Sequence, residues 1–189
     1  MPLIGVIARL VEQKGIDLIL KAADGILHQD AQLIVLGEGD LAYHRQLEQV
    51  RNRWPDRVGL YLGFDEALAH RIEAGADLFL MPSLYEPSGL NQLYSMRYGT
   101  PPVVRSTGGL ADTVVDYTPD TLQRGVATGF VFAPYYADVL AATLQRAFGL
   151  YHSNHDDWYR LVRTDMQQDW SWERSAAEYE KLYAKARSM

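Results

Sequence analysis

Glu86 is the residue around which chemistry can be built. It stands in the run Pro82-Ser83-Leu84-Tyr85-Glu86-Pro87-Ser88-Gly89-Leu90-Asn91-Gln92, with Pro87 behind it to restrict its backbone. Ahead of the run lies Leu78-Phe79-Leu80-Met81, which reads as a buried strand, and after it Leu93, Met96 and Tyr98 fit one face of a helix. A strand-to-helix crossing of this kind is where α/β sheets bind ligands. Ser88, Gly89, Leu90 and Asn91 would present backbone N–H groups at the helix start, where unpartnered donors and the positive end of the dipole attract anions. A fixed acid beside an anion-binding turn predicts a phosphorylated ligand, with chemistry next to the phosphate.

The rest of the chain must position that loop. Apolar runs at 3–8, 32–36, 58–62, 78–81, 102–105 and 129–132 read as six strands, with helices between them. The helix over 16–27 buries Ile16, Ile19, Leu20, Ala23 and Leu27. Asp40 caps a second, with Leu41, Leu47 and Val50 inward, and Asp65 caps a third that ends near Gly75. Pro101 keeps the start of the fifth strand out of a central ladder position. Two helices follow Pro134, and Ser171 caps a last one carrying Ala176, Tyr179, Leu182 and Tyr183. Alternating strands and helices predict one α/β domain over 1–189, a doubly wound, Rossmann-like and mostly parallel six-stranded sheet.

In such a sheet the loops after the strands share one rim. Arg9, Lys14, Phe64, Glu86, the turn at Ser88-Gly89 and the glycine turn Thr107-Gly108-Gly109 all fall in those loops. Two cations and two helix starts could hold a diphosphate, Arg bidentately and Lys as a point charge. Phe64 could lie flat against a base or be an ordinary core aromatic. Arg9 and Lys14 could equally be a solvated loop pair, and Gly108-Gly109 a simple turn.

Composition narrows the classes. The chain has 189 residues, 48% of them hydrophobic, a net charge of −6 and no cysteine. That suits one soluble domain with its own core. The acidic balance gives no field to hold nucleic acid or an anionic membrane. Without cysteine there is no disulfide, thiolate metal site or cysteine nucleophile. No apolar run approaches a membrane span, and Met1-Pro2-Leu3-Ile4 opens into a strand without a signal-peptide n-region, so a cytoplasmic location is expected. No carboxylate cluster suggests a metal, and no cofactor is expected.

These segments together resemble the carboxyl-terminal half of bacterial glycogen synthases and starch synthases, retaining glycosyltransferases of the two-domain GT-B type. The resemblance rests on Ala8-Arg9-Leu10 with Gln13-Lys14-Gly15, and on Tyr85-Glu86-Pro87-Ser88-Gly89-Leu90-Asn91-Gln92. It extends through Arg97-Tyr98-Gly99-Thr100, Ser106 to Val114, Gly129-Phe130-Val131-Phe132 and Trp170-Ser171-Trp172. It covers nearly all of the chain.

The resemblance implies ADP-glucose as donor, an α-1,4-glucan as acceptor, and a plastid location if the chain is from a plant. It implies that Arg9 and Lys14 neutralise the diphosphate, helped by N–H groups after Ser88. It also places Phe64 against adenine, and Glu86 beside the glucose to stabilise positive charge at the anomeric carbon. The donor-binding set becomes Arg9, Lys14, Phe64, Tyr85, Ser88, Gly89, Leu90, Asn91, Thr107, Gly108 and Gly109, with Glu86, Arg9 and Lys14 catalytic. Two residues depart from the family pattern: Ser88 stands where Cys is usual and Asn91 where Thr is usual. The implied amino-terminal domain, which carries the acceptor surface, is missing here, and the aromatic helix near 170–189 is expected to pack on it. The isolated chain is then expected to be inactive.

Other readings compete. Gly37-Glu38-Gly39-Asp40-Leu41-Ala42 satisfies the G-x-G-x-x-A of a dehydrogenase, but Glu38 and Asp40 put carboxylates where a pyrophosphate should sit, and the motif follows the second strand. A glycosidase needs a second carboxylate paired with Glu86; Asp112 is the candidate, and helix capping explains it better. The alternative from a different class is a nucleotide-binding or interaction module without catalysis.

Overall fold

Leu3–Ile7 forms β1 and Leu78–Met81 forms β4, two apolar strands lying side by side at the centre of the sheet. The computed structural model describes residues 1–188; Met189, the end of the expected 1–189 domain, lies outside them. The remaining strands are β2 (Gln32–Gly37), β3 (Val58–Leu62), β5 (Pro102–Arg105) and β6 (Phe130–Phe132). Their order is β3-β2-β1-β4-β5-β6, with every pair parallel. This is the expected doubly wound, Rossmann-like sheet, and the chain reverses direction across it between β1 and β4.

Helices α1 (Ile16–Leu27), α2 (Leu41–Arg53) and α7 (Ala137–Ser153) pack into the larger core, which joins Ile4, Val6, Leu33, Leu80 and Phe130 of the sheet to Ile19, Leu47, Leu140 and Leu144 of the helices. Helices α3 (Glu66–Gly75), α4 (Asn91–Tyr98) and α5 (Gly108–Thr113) follow β3, β4 and β5. A smaller core of Phe79, Met81, Val104, Leu110 and Val114 seals α5 against the sheet. Helix α6 (Pro119–Gln123), α8 (His155–Met166) and α9 (Trp172–Arg187) complete the chain.

The differences from the sequence reading have local causes. Asp40 sits at the head of α2, but its carboxylate makes no capping bond; its N–H donates to Leu10 O and its C=O accepts from the first helical turn. Leu41 is 67% exposed, while Leu47 and Val50 are buried. The buried face of α4 is Gln92, Ser95 and Met96, with Tyr98 outside. Pro102 opens β5, an interior strand, and Pro101 stands just ahead of it. They are tolerated because pairing to β6 begins only at Val103, while the Pro101 carbonyl still accepts from Phe79. Helix α6, held by a reciprocal cap between Thr118 and Thr121, adds an element that periodicity did not reveal. No residue of α9 is buried, so Trp172, Tyr179, Leu182 and Tyr183 all face outward. Among the described residues no helix is long and apolar enough to cross a membrane.

Candidate functional site

Beyond β1 the chain keeps pairing with the end of β2. The Leu10 N–H donates to Glu38 O at 2.8 Å, and the Asp40 N–H donates to Leu10 O at 2.8 Å. A Cβ at Gly39 would lie 2.4 Å from Leu10 O, so only glycine admits this approach. The glycines of the G-x-G motif thus serve backbone packing at the rim. Leu10 is buried by the pairing and Arg9 is left exposed, with no side-chain hydrogen bond or ion pair among the described residues. A short 3₁₀ turn over Glu12–Lys14 then brings Lys14 back over the sheet.

Glu86 is held from several directions. It is only 6% exposed, and its Oε2 accepts from Lys14 Nζ at 2.6 Å and from Ser83 Oγ at 3.2 Å. The loop around it is tied on the β1 side by Leu84 N–H to Gln13 O, 2.9 Å, and by Gln13 Nε2 to Tyr85 O, 3.1 Å. From β5, Arg105 donates through Nε to Ser83 O at 2.9 Å and through a terminal nitrogen to Leu84 O. Arg105, Gln13 and Ser83 were not singled out from the sequence. Arg105 and Gln13 bond main-chain atoms far away along the chain, which leaves no local signal, whereas Ser83 bonds Glu86 only three residues on.

The second glycine turn is a strut for this loop. The Gly109 N–H donates to Glu86 O at 3.0 Å and to Pro87 O at 3.2 Å, and a Cβ there would stand 2.0 Å from Ser88 O. Gln92, fully buried, donates through Nε2 to Ser88 O, Gly89 O and Thr113 Oγ1, each at 3.2 Å. Asn91 opens α4 and donates through Nδ2 to Ile7 O at 3.2 Å, so the larger residue at this position bridges the helix to the end of β1.

A cavity of about 720 Å³ opens over the carboxyl ends of β1, β2 and β4. Arg9, Lys14, Phe64, Glu86, Gly89, Leu90 and Asn91 line it. Tyr85 and Ser88, within the acid loop, and Thr107, Gly108 and Gly109, in the turn that braces it, do not. The Phe64 ring is 84% exposed, which removes the core-aromatic reading. Beside it Asp65 caps α3 by accepting the Leu68 N–H at 2.8 Å. Further along α3, Glu73 is 2% exposed and lies 3.2 Å from His70 Nδ1. Burial pushes the Glu73 carboxyl up, with the His70 contact opposing it. Among the described residues no group of three or more His, Cys, Asp or Glu side chains converges as metal ligands do.

The cavity is lined by two cations, a nearly buried carboxylate bonded to one of them, a helix start and an exposed aromatic ring. It suits a ligand with an anionic part and a flat part.

Comparison with known proteins gives the same picture. The family model described as glycosyl transferases group 1 matches residues 1–156. A glycogen synthase from Anaeromyxobacter dehalogenans is 54% identical over 182 residues, which cover 96% of this chain and 37% of that protein. The catalytic domain of starch synthase IV from Arabidopsis thaliana, solved bound to ADP and acarbose, superposes with a TM-score of 0.89 at 41% identity, over 100% of this chain and 39% of that one. Sucrose-phosphate synthase from Thermosynechococcus elongatus superposes at 0.68 with 26% identity, covering 99% of this chain and 46% of its own. The chain thus spans little more than a third of the length of the glycogen synthases it matches.

Proposed function

The chain belongs to the group 1 glycosyl transferases, and on that premise we propose that it is the donor-binding domain of a glucosyltransferase that extends an α-1,4-glucan from ADP-glucose with retention. The observation that carries the reading is the Lys14–Glu86 contact, 2.6 Å, at the floor of a cavity that also holds Arg9 and the start of α4. Lys14 compensates a carboxylate that would otherwise be buried alone, and it lies where a diphosphate can share its charge.

In the proposed reaction the bond between the anomeric carbon and the phosphate oxygen breaks, and its electron pair leaves with ADP. Arg9, Lys14 and the N–H groups at the head of α4 stabilise that negative charge. Glu86 stabilises the positive charge on the sugar. The acceptor hydroxyl bonds the anomeric carbon from the leaving-group face and passes its proton to the departing phosphate oxygen. The configuration is kept without a protein nucleophile. Charge grows on both sides of the breaking bond, which preorganised groups of fixed sign serve best. The site works without a metal. The acceptor surface and the wall that excludes water come from an amino-terminal domain, on which the apolar face of α9 packs. Without it the chain binds nucleotide and transfers no glucose. A cytoplasmic setting is consistent with the donor.

Titration calorimetry with ADP on this chain tests the binding assignment. A charge-assisted hydrogen bond contributes roughly 1.5–3 kcal/mol, so the Arg9→Ala, Lys14→Ala double variant should bind ADP on the order of tenfold more weakly or worse. A thermal melt run alongside separates lost affinity from lost fold. Equal affinity in a folded double variant would sink the assignment.

A further inference from the structure

One ionisable pair in the cavity, a buried acid and a half-exposed histidine, has no part in the proposed reaction. Glu73 and His70 sit one turn apart on α3, the helix that follows Phe64, and all three residues line the cavity. The Glu73 carboxylate is buried, and its side chain bonds His70 Nδ1 at 3.2 Å. Its main-chain carbonyl accepts from Thr100 Oγ1 at 2.6 Å, which fixes this part of α3. The His70 side chain is 49% exposed and lines the cavity, with the rings of Tyr94 and Tyr98 at centroid distances of 6.4 and 6.1 Å.

In its ionised form Glu73 can only accept, and the nitrogen facing it then carries the proton. The opposite nitrogen, Nε2, is then left with a lone pair. Second partners of this kind commonly set which ring nitrogen of a histidine is free. The free nitrogen is an acceptor on a residue that lines the same cavity as the exposed Phe64 ring, which offers a surface for a flat base. Adenine presents an amino donor on its edge, whereas uracil presents a carbonyl acceptor at the matching place. An acceptor in the wall therefore favours the first and leaves the second facing a lone pair.

Resting on the donor-binding reading above, we propose that His70, oriented by Glu73, selects an amino-bearing base in the donor nucleotide. His70 is the contact and Glu73 a positioning residue that acts through it.

The test is the ratio of ADP to UDP affinity, measured on this chain by calorimetry, with pyrophosphate as the base-free reference. His70→Asn reaches the Nδ1 position and keeps a partner for Glu73, but it has nothing at Nε2. It should lose about five- to tenfold in ADP affinity, with UDP and pyrophosphate within twofold of the parent. His70→Gln, whose amide oxygen reaches the Nε2 position, should recover part of the preference. Glu73→Gln removes the selection between tautomers and should lower the ratio while leaving pyrophosphate binding intact. An unchanged ratio in His70→Asn overturns the proposal. So does an equal fall for ADP and UDP, which would put His70 on the ribose. The underlying reading fails differently: Lys14→Ala would leave pyrophosphate affinity untouched, or the parent chain would bind none of the three ligands, and the second outcome removes both.

Discussion

Two buried carboxylates show what a partner is worth. Glu86, at the cavity floor, accepts from Lys14 and Ser83. Asp165, in α8, is 1% exposed and neither of its oxygens has a partner among the described residues. Burial pushes the Asp165 carboxyl well above the ordinary range. Desolvation acts on both acids, and the difference lies in what faces them. Glu86 faces a cation and a hydroxyl. Asp165 faces no such group, and nothing repays the loss of water that raises its pKa.

The sharpest way to break the contrast is Glu86→Gln in a two-domain protein. Removing one preorganised electrostatic group typically costs on the order of a hundredfold to a thousandfold in turnover. ADP affinity should change little, because in the proposed reaction the carboxylate acts on the sugar in the transition state. Incorporation of labelled glucose from ADP-glucose into glycogen measures the first quantity and calorimetry the second. Near-normal turnover would remove Glu86 from the chemistry.

Asp165→Asn probes the other acid. The folded pKa of Asp165 is raised, so the unfolded chain releases its proton at a lower pH than the folded one. The acid therefore costs no ionisation penalty below about pH 4, the ordinary aspartate value. The penalty grows as pH rises through that value and levels off above the folded pKa. Asn has no proton to lose and resembles the neutral acid in shape. The variant should gain about 1–3 kcal/mol at neutral pH, on the scale of an unmet buried polar group, and lose the advantage near pH 3. Urea unfolding at both values measures it, and a gain that does not depend on pH would mean the acid is not held neutral.

The smallest effect is expected from Phe64→Ala. Its ring is exposed, so melting temperature should hold. ADP should weaken by a few-fold, in line with aromatic contacts of about 0.5–1.5 kcal/mol, and pyrophosphate should not change. A parallel loss for both ligands would return Phe64 to a structural role.

The six strands and the rim that carries Arg9, Lys14, Phe64 and Glu86 were legible because apolar runs and glycine breaks are local signals. Asp65 and Ser171 were legible as caps for the same reason, and their side chains do accept from Leu68 and Arg174. What stayed hidden depends on residues distant in sequence. Gln92 and Ser95 give α4 a polar buried face, which a hydrophobic period cannot find. Arg105 reaches the carbonyls of Ser83 and Leu84, 22 and 21 residues away. Gly109 looked like an anion-binding turn, but its N–H is spent on Glu86 O and Pro87 O. The His70–Glu73 pair is near in sequence, yet only burial distinguishes Glu73 from any other acid on a helix.

The ladder between β1 and β4 is short: Ile4 and Gly5 pair with Leu78 and Phe79, whereas β1 and β2 pair over five residues. Every bond that brings Lys14 and Gln13 to the acid loop crosses this seam, at separations near 72 residues. Such distant contacts must await closure of the intervening chain, so the site should be among the last parts to assemble during folding. The same geometry makes the seam a place for partial opening in the native state. Amide exchange at Leu84, whose N–H is held only by Gln13 across the seam, should run faster than at Val35 within β2, and a nucleotide bridging both sides should slow it. Occupancy would then stiffen the molecule along one line, without any change of shape.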